Sequence, residues 1–363
     1  MSKLIFDSLE IRNFRGLKEM KIEKLGRVNL IVGKNNVGKT SVLEALSLYS
    51  KPGDYWTLIE LLQSRDQLDR RAFLDEEQAG FGLRFTELFY QEPRGTWKDS
   101  PVIQIGKARS PDETLSFRSS TGEDMRNLSY PMGHYLHYEL KGEKYAAPIW
   151  VENKSDLDRF NLDASRAGFK EPHSLFPMIR ISTEGLNATL IGRYWDRIAL
   201  TEQEQDVLDG LRLISDEVER LILKPVFEGA KDRVPFVKMS GQNGAVSLRS
   251  LGDGMNRLFG VILALVNTKD GMCLVDEIEN GLHHSVQPEV WKLIFTLASK
   301  LNVQVFATTH SYECISAFQE AAKESEEEGI LIGLLQKKGR FFVGEYSENE
   351  LGIAVEGNIE VRG

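Results

Sequence analysis

The stretch Gly33–Thr40 reads Gly-Lys-Asn-Asn-Val-Gly-Lys-Thr, and it directly follows the apolar run Val28–Val32. It also directly precedes Ser41–Leu46, a pattern typical of a helix. Glycines let a backbone turn tightly and expose successive N–H groups, and the lysine adds a point charge at the β- and γ-phosphates of a nucleotide. The sequence therefore predicts a phosphate-binding loop between a strand and a helix. The residues expected to contact the nucleotide are Gly33, Lys34, Asn35, Asn36, Val37, Gly38, Lys39, Thr40 and Ser41.

The chain has 363 residues, of which 41% are hydrophobic and 27% are charged, and its net charge is -9. These values are typical of a globular protein with two domains or one large split domain. Its two cysteines, Cys273 and Cys314, lack the paired spacing of a zinc ribbon and lie in or near apolar runs. No apolar run approaches the roughly 18 residues of a membrane span, and a secretion signal is not evident. We expect a cytoplasmic protein that makes no use of a membrane.

The order of the patterned segments predicts an α/β fold. Leu9 and Ile11, then Met20 and Ile22, alternate with polar residues on either side of the turn Asn13–Gly16, which predicts an N-terminal antiparallel β hairpin. Strand and helix patterns alternate again towards the C-terminal end. We therefore predict a split α/β domain formed by residues 1–50 and 234–363, with residues 51–233 as an inserted, mixed β and helical lobe.

A capping-box pattern at Thr201–Glu204 indicates the start of a helix within the insert. Apolar residues then recur at alternating spacings of four and three, which places them on one stripe of a single helix. This helix is either part of the core of the insert or a surface for a partner. The stripe consists of Val207, Leu211, Ile214, Val218 and Leu221.

Two carboxylates, Asp276 and Glu277, directly follow the apolar strand pattern Met272–Val275. In a phosphate-loop protein, the first acid at such a strand end reaches Mg²⁺ and the next can polarise the water that attacks the γ-phosphorus. Thr40 and Asp276 are therefore candidate magnesium ligands, and Glu277 is the candidate general base. Lys39 completes the candidate catalytic set by its charge.

A histidine, His310, ends another strand pattern, Val303–Thr309. A lone histidine is usually structural, but the carboxyl ends of parallel strands meet at one edge of a sheet. We therefore expect His310 to lie in the same crevice as the phosphate loop and to bind a phosphate oxygen or the attacking water.

A second small-residue loop, Ser250-Leu251-Gly252-Asp253, precedes an apolar helix pattern. Unpaired N–H groups and the helix dipole make such a loop an anion site. The alternative is that Ser250 is an ordinary helix N-cap. If the loop binds an anion, it must serve something other than the nucleotide already held at Gly33.

These elements, in this order, resemble the ATP-binding cassette superfamily, specifically its SMC/RecF-like branch. Gly33–Thr40 is similar to its Walker A motif, Ser250–Asp253 to its signature, Asp276-Glu277 to its Walker B motif and Thr309-His310 to its switch histidine. The run Asp276–His283, with the opening Ile11–Gly16, resembles the OLD-like ATPases more specifically. The resemblance covers the first 50 and roughly the last 120 residues.

The resemblance implies ATP and Mg²⁺ as cofactors and a homodimer formed head to tail. In such dimers the signature loop of one copy, here Ser250, Gly252 and Asp253, caps the nucleotide held by the other. Arg15 is similar to a family position that contacts nucleotide, with a strand-surface arginine as the alternative. The family also uses a glutamine to sense Mg²⁺, for which Gln91 is the candidate.

The chain departs from its relatives in two respects. Long SMC-type arms are absent, and the 53 residues after His310 do not accommodate the Toprim nuclease domain of OLD-type enzymes. We therefore expect an ATPase switch that acts on a separate effector or nuclease, in a DNA-associated or antiphage complex. An ATP-sensing scaffold with little turnover, which holds and releases a toxin or nuclease, is the alternative.

DNA is a further possible partner. Residues 12–39 contain eight basic and two acidic residues, a local excess that could face DNA. A run of charges is also the usual composition of a solvated strand pair, so both interpretations stay open.

Overall fold

The computed structural model describes residues 3–65, 67–69, 81–83, 85–90, 101–120, 135–151, 154–230, 232–337 and 340–346. The helices are α1 (Lys39–Ser50), α2 (Tyr55–Gln63), α3 (Lys154–Arg166), α4 (Ala188–Ile198), α5 (Glu202–Arg212), α6 (Asp253–Val266), α7 (Gln287–Lys300) and α8 (Tyr312–Glu324). The strands before α4 are β1 (Leu9–Phe14), β2 (Leu17–Ile22), β3 (Val28–Gly33), β4 (Leu68–Asp69), β5 (Phe81–Leu83), β6 (Ile103–Gly106), β7 (Thr114–Ser120), β8 (Tyr135–Leu140), β9 (Glu143–Pro148), β10 (Trp150–Val151) and β11 (Met178–Ile181). Those after α5 are β12 (Val218–Pro225), β13 (Arg233–Met239), β14 (Ala245–Ser247), β15 (Met272–Val275), β16 (Gln304–Thr309), β17 (Gly329–Lys337) and β18 (Arg340–Tyr346).

A central sheet in the order β11-β15-β16-β3-β17-β18 forms the middle layer. Its strands are parallel except β18, which pairs antiparallel with β17. β3, β15 and β16 are buried along their whole length, as parallel strands covered on both faces must be. The parallel register brings the ends of β11, β15, β16 and β3 to one edge of the sheet. The predicted α/β class is confirmed.

The two faces of the central sheet pack against different layers because successive side chains of a strand point in opposite directions. Leu30 and Val32 join a core with α6, α7 and α8. Ile31, between them, joins the core formed with α1, α2 and a second sheet. That sheet is antiparallel, in the order β2-β1-β6-β7-β8-β9. The central sheet is therefore the middle of three layers.

The predicted N-terminal hairpin is confirmed as β1 and β2. Its turn places Asn13 and Arg15 at positive φ, 57° and 50° respectively. Met20 faces Ile11 across the two strands, and both side chains are buried. The hairpin therefore presents an apolar face to the helix that follows the phosphate loop.

The prediction of a single striped helix after Thr201 is wrong. The helix α5 ends at Arg212, and Val218 and Leu221 lie in β12 instead. Both side chains are buried although they are three residues apart, a spacing that would place them on opposite faces of a regular strand. The pairing of β12 with β13 shifts its register between Val218 and Arg220. This bulge restores both residues to one face, and it imitates helical spacing in the sequence.

The predicted boundaries at residues 50 and 233 remain a hypothesis. Segment 51–233 contributes β6–β9 to the sheet that begins with the N-terminal hairpin, and it contributes β11 to the edge of the central sheet. Strand β11 follows an interval of more than a hundred residues after β3, so local pattern does not assign it to the same sheet as the phosphate loop. Its position matters because its carboxyl end lies beside that of β15.

Candidate active site

The phosphate loop has the backbone that the sequence predicts. Gly33 and Gly38 both lie at positive φ, 151° and 97°. A Cβ atom at Gly33 would lie 2.5 Å from the carbonyl oxygen of Leu334, and one at Gly38 would lie 2.8 Å from Cδ2 of Leu17. Neither position has room for a side chain, so the glycines allow the loop to close tightly between its neighbours.

Lys39 stabilises this loop by folding back over it. Its Nζ donates hydrogen bonds to the carbonyl oxygens of Gly33, at 2.8 Å, and of Lys34, at 3.1 Å. Burial lowers the pKa of Lys39, while Glu277 and Asp276 act in the opposite direction. The loop and its lysine fit the triphosphate group of a nucleotide, since the ammonium group stands among backbone groups at a helix N-terminus.

Thr40 and Asp276 lie together, as predicted for magnesium ligands. The Thr40 hydroxyl donates to Oδ1 of Asp276 at 3.2 Å. The same carboxylate oxygen accepts a bond of 2.6 Å from the hydroxyl of Thr308, which lies on β16. A hydroxyl and a carboxylate on the rim of the phosphate loop are the oxygen donors that Mg²⁺ prefers, so these side chains fit that ion.

Glu277 projects from a strained turn directly after β15. Its φ is 47°, an uncommon value for a residue with a side chain. The backbone N–H of Glu277 donates to the Thr308 hydroxyl at 2.8 Å, and Nδ2 of Asn280 donates to Oε2 of Glu277 at 3.0 Å. The carboxylate is about one-third exposed, at 34%. These bonds hold a carboxylate at the wall of the cleft that contains the phosphate loop.

His310 lies beside two acids at the end of β16. Its Nδ1 is 3.1 Å from Oε1 of Glu279 and 3.8 Å from Oε1 of Glu277. The side chain is half exposed. His310 is therefore close to Glu277, but it is not among the residues that line the cleft of the phosphate loop, so its expected contact with a phosphate oxygen or the attacking water stays a prediction. Its nearer partner, Glu279, is a residue that the sequence reasoning did not single out.

The phosphate loop opens into a cleft of about 740 Å³ that also contains Asp276 and Glu277. Further polar side chains of this cleft were missed from the sequence. Most of them have a weak signal, since they come from segments far from any motif. They are Glu44 on α1, Ser64 and Arg65 just after α2, Arg180, Ser182 and Thr183 at the carboxyl end of β11, and Gln336 on β17.

The signature segment forms a loop at a helix N-terminus, as predicted. Gly252, at φ 114°, is the N-cap of α6, and Ser250 lies in the preceding turn of 3₁₀ helix. The Ser250 hydroxyl donates to the carbonyl of Ser247 at 2.6 Å. The alternative that Ser250 is the N-cap is therefore wrong. Leu251 is 37% exposed, and the Asp253 side chain is 81% exposed.

The signature loop lies outside the phosphate-loop cleft of its own chain. Asp253 lines a separate depression of about 410 Å³, together with Asn256 and Arg257 of α6. Thr183 belongs to the walls of both depressions. The two anion sites predicted from the sequence are thus neighbouring but separate surfaces of one molecule.

Arg257 ties α6 to the turn that carries the acids. Its guanidinium donates to the backbone carbonyls of Asp276, at 2.5 Å, Glu277, at 3.2 Å, and Ser182, at 2.6 Å. Burial lowers the pKa of Arg257, and the neighbouring acids oppose this effect. A movement of the signature helix therefore acts directly on the backbone of the candidate base.

Arg15 is buried rather than on the surface of the hairpin, so the alternative of a strand-surface arginine is wrong. Its Nε lies 2.5 Å from Oε2 of Glu44, and one of its terminal nitrogens donates to Gln67 at 2.8 Å. Burial lowers the pKa of Arg15 to about 10. A contact of Arg15 with nucleotide remains a prediction. Gln91, the candidate glutamine for sensing Mg²⁺, lies outside the residues that the structure describes.

The basic run of residues 12–39 is partly neutralised by neighbouring acids. Arg12 pairs with Glu10 at 2.7 Å, Lys21 with Glu23 at 2.5 Å, and Lys24 with Glu328. In surface pairs of this kind, a neighbouring carboxylate partly neutralises the basic side chain, so that the side chain attracts the phosphates of a nucleic acid less strongly. Within the described part of the chain, no helix is long and apolar enough to cross a membrane.

A protein-family model described as "AAA domain, putative AbiEii toxin, Type IV TA system" matches residues 28–316 of this chain. A Helicobacter pylori protein named ATP/GTP phosphatase is 22% identical over 358 residues, covering 89% of this chain and 90% of its own. The DNA replication and repair protein RecF of Clostridioides difficile is 46% identical over 43 residues, 12% of each chain. An uncharacterized protein of Methanocaldococcus jannaschii is 51% identical over 45 residues, and the match spans only 20% of that relative's length.

Two solved structures extend over most of the chain. One is an SMC head bound to the C-winged helix domain of ScpA, with 14% identity, a TM-score of 0.49 and coverage of 94% of this chain and 97% of the other. The second is the SMC head domain from Thermotoga maritima, with 13% identity, a TM-score of 0.43 and coverage of 94% and 99%. The predicted kinship with P-loop ATPases is confirmed at the level of the family, and the short match to RecF agrees with the SMC/RecF-like branch. The closer likeness to OLD-like ATPases stays a prediction.

Proposed function

Since this chain belongs to the AAA-domain family whose description names a putative AbiEii toxin, we propose that it binds ATP with Mg²⁺ and hydrolyses it as a switch that acts on a separate effector. One observation carries this proposal. The parallel sheet brings Lys39, Thr40, Asp276 and Glu277 into a single cleft, although they come from positions more than 230 residues apart in the chain.

Each of these side chains has a task in the proposed reaction. Lys39 and the loop N–H groups hold the phosphates, while Thr40 and Asp276 hold Mg²⁺. When bound, the metal neutralises charge that develops on the phosphates. Glu277 lies at the cleft wall, where it can orient the attacking water and accept a proton from that water. Asn280 and Thr308 keep the carboxylate and its backbone in place.

The signature loop supports a site shared between two copies of the chain. Leu251 and Asp253 are exposed, and the loop is separated from the phosphate-loop cleft of its own molecule. A helix N-terminus with an exposed loop favours an anion. We therefore place the loop of one copy against the nucleotide of the other, in a homodimer that closes head to tail around ATP.

We further propose that opening and closing of this dimer act on a separate protein effector, such as a toxin or nuclease, in a defence-type complex. The family description, with its reference to a toxin–antitoxin system, supports a protein partner. Arg12 and Lys21 are already paired with acids, which favours a protein over DNA as the immediate partner. DNA association through the effector remains compatible with this arrangement.

Steady-state phosphate release from purified protein with ATP and Mg²⁺ tests the proposal. Removing a general base typically slows a reaction by about 10²- to 10⁴-fold, so Glu277→Gln is expected to lose at least about 100-fold in rate. Glu320→Gln, an exposed acid on α8, is the matched control and should keep the wild-type rate. If wild type and Glu277→Gln release phosphate equally slowly with the effector present, the scaffold alternative replaces the switch.

A further inference from the structure

Arg180 places a buried guanidinium group in the wall of the phosphate-loop cleft. It lies at the carboxyl end of β11, the strand that pairs with β15 and therefore borders Asp276. Its side chain is only 8% exposed. The sequence does not single out Arg180, and the proposed hydrolysis assigns it no role.

The hydrogen bonds of Arg180 are incomplete within the part of the chain that the structure describes. Its Nε is buried and has no hydrogen-bond partner there. The nearest carboxylate oxygen, Oε1 of Glu44, lies 4.0 Å from one of its terminal nitrogens, too far for a hydrogen bond. A buried donor without an acceptor is destabilising, and this cost is greatest for a charged group.

Glu44 cannot serve as the full counter-charge for Arg180 because two other arginines already occupy it. Arg15 approaches one of its oxygens at 2.5 Å. Arg65 donates to both oxygens, at 2.8 Å and 3.1 Å. Three guanidinium groups therefore share one fully buried carboxylate. Glu60 also lies in the field of Arg180, but within the described residues no hydrogen bond or ion pair joins the two side chains.

We propose that Arg180 is an additional phosphate ligand of the nucleotide, supplied by the edge strand of the central sheet. A polyphosphate in this cleft offers the guanidinium group anionic acceptors that the described part of the protein does not provide. The planar guanidinium suits phosphate oxygens, since it presents parallel N–H donors. This inference rests on the proposed function in one respect, namely that the cleft binds ATP.

A purely structural role for Arg180, as a member of the Glu44 cluster, makes a different prediction. In that case Arg180→Met would lower the thermal unfolding midpoint of the nucleotide-free protein and leave ATP affinity unchanged. If Arg180 instead waits for an anion, Arg180→Met removes an unsatisfied cation. The midpoint without ligand is then unchanged or higher, and the increase produced by a given ATP concentration is smaller than in wild type.

The experiment measures the dissociation constants of ATP and of inorganic tripolyphosphate by calorimetry, together with unfolding midpoints with and without each ligand. Arg180→Met is expected to weaken both ligands by about 10- to 100-fold, and Arg180→Lys by less, because lysine keeps the charge without the fork of donors. Arg27→Met is the matched control. Arg27 is also buried, at 3%, but it bonds Asn302 and Glu327 away from the cleft, so its replacement should lower the midpoint and keep ATP affinity.

Wild-type affinity for ATP in Arg180→Met would overturn the inference. The proposed function fails separately: it is wrong if the wild type binds ATP in an Arg180-dependent way but hydrolyses it no faster than Glu277→Gln. Loss of tripolyphosphate binding together with ATP binding shows that Arg180 contacts phosphate, whereas loss of ATP binding alone would assign it to the nucleoside and overturn the proposal.

Discussion

Glu279 accepts a hydrogen bond of 2.9 Å from the backbone N–H of His310, and the same oxygen, Oε1, lies 3.1 Å from the imidazole Nδ1. The Glu279 side chain is 9% exposed. One carboxylate thus contacts both the backbone and the ring of the histidine. It fixes the direction of the ring relative to Glu277, whose Oε1 lies 3.8 Å from Nδ1.

We predict that Glu279→Ala slows phosphate release by about 10- to 100-fold, because misplacing a positioned group costs rates of this order. Glu279→Gln should lose less, since its amide oxygen can still accept from the N–H of His310. ATP affinity should stay within about twofold in both variants, as Glu279 does not line the cleft. Glu313→Gln, an exposed acid on α8, is the control, and equal rates in Glu279→Ala and wild type would contradict this role.

The shared-site proposal predicts that ATP drives dimerisation when hydrolysis is blocked. Glu277→Gln with ATP and Mg²⁺ should sediment at twice the monomer mass. Adding Ser250→Arg should restore the monomer, because a bulky side chain in the exposed signature loop obstructs the second copy. Ser316→Arg, at an exposed serine on α8, is the control and should leave the dimer intact. A mass that does not respond to ATP would count against the composite site.

Two glycines of one helix give opposite predictions for stability. A Cβ atom at Gly254 would lie 2.4 Å from the carbonyl oxygen of Gly281, in the loop after Glu277. Gly254→Ala should therefore lower the free energy of unfolding by about 1–3 kcal/mol. At Gly260 the nearest atom, Cγ of Leu186, is 3.9 Å away. Gly260→Ala should raise stability by about 0.5–1 kcal/mol through lower chain entropy in the unfolded state.

Urea unfolding of both glycine variants, with the midpoint and slope compared to wild type, checks these values. Hydrolysis should fall in Gly254→Ala as well, because α6 and the turn with Glu277 are in contact at this point. If Gly254→Ala is as stable as Gly260→Ala, the close approach between the signature helix and that turn is not part of the folded state.

Glu113 should make the protein sensitive to acid. It pairs with Lys107 at 2.6 Å and Lys141 at 3.0 Å, and these hydrogen bonds lower the pKa of Glu113 to about 2. A carboxyl whose pKa is lower in the folded state than its usual 4.5 adds stability above pH 4.5 and loses it as the pH falls towards 2. Glu113→Gln should be less stable than wild type at pH 7, and the difference should disappear near pH 2.

Unfolding at a series of pH values measures this difference directly. Because the Lys141 side chain is 58% exposed, its share of the effect at pH 7 should shrink at high salt. Glu143→Gln is a useful comparison, since Glu143 pairs with Lys170 at a longer distance of 3.5 Å and should show a smaller change. A stability gap that persists at pH 2 would assign the effect to packing rather than to charge.

The parts of the site that the sequence predicts correctly are those in which neighbouring residues do the work. The loop Gly33–Thr40 is recognisable because its backbone geometry depends on glycines at fixed local spacing. Asp276 and His310 are recognisable because each ends a buried strand, and parallel strands end at a common edge. The helix prediction through Leu221 failed because a bulge in β12 copies helical spacing, which local pattern alone does not distinguish.

Only the tertiary structure decided which side chains contact these residues. Thr308 bonds Asp276, Arg257 bonds the carbonyl of Glu277, and Arg180 enters the cleft from an edge strand, in each case across a distance in sequence that no motif spans. The physical reason is that a buried charged or polar group needs hydrogen-bond or charge partners from the protein. The folding of the whole chain determines which residues lie close enough to be those partners. The sequence by itself determined the glycine loop before α1 and predicted that this loop binds phosphate; the packing of α6 and β11 against β15 decided which groups surround the loop.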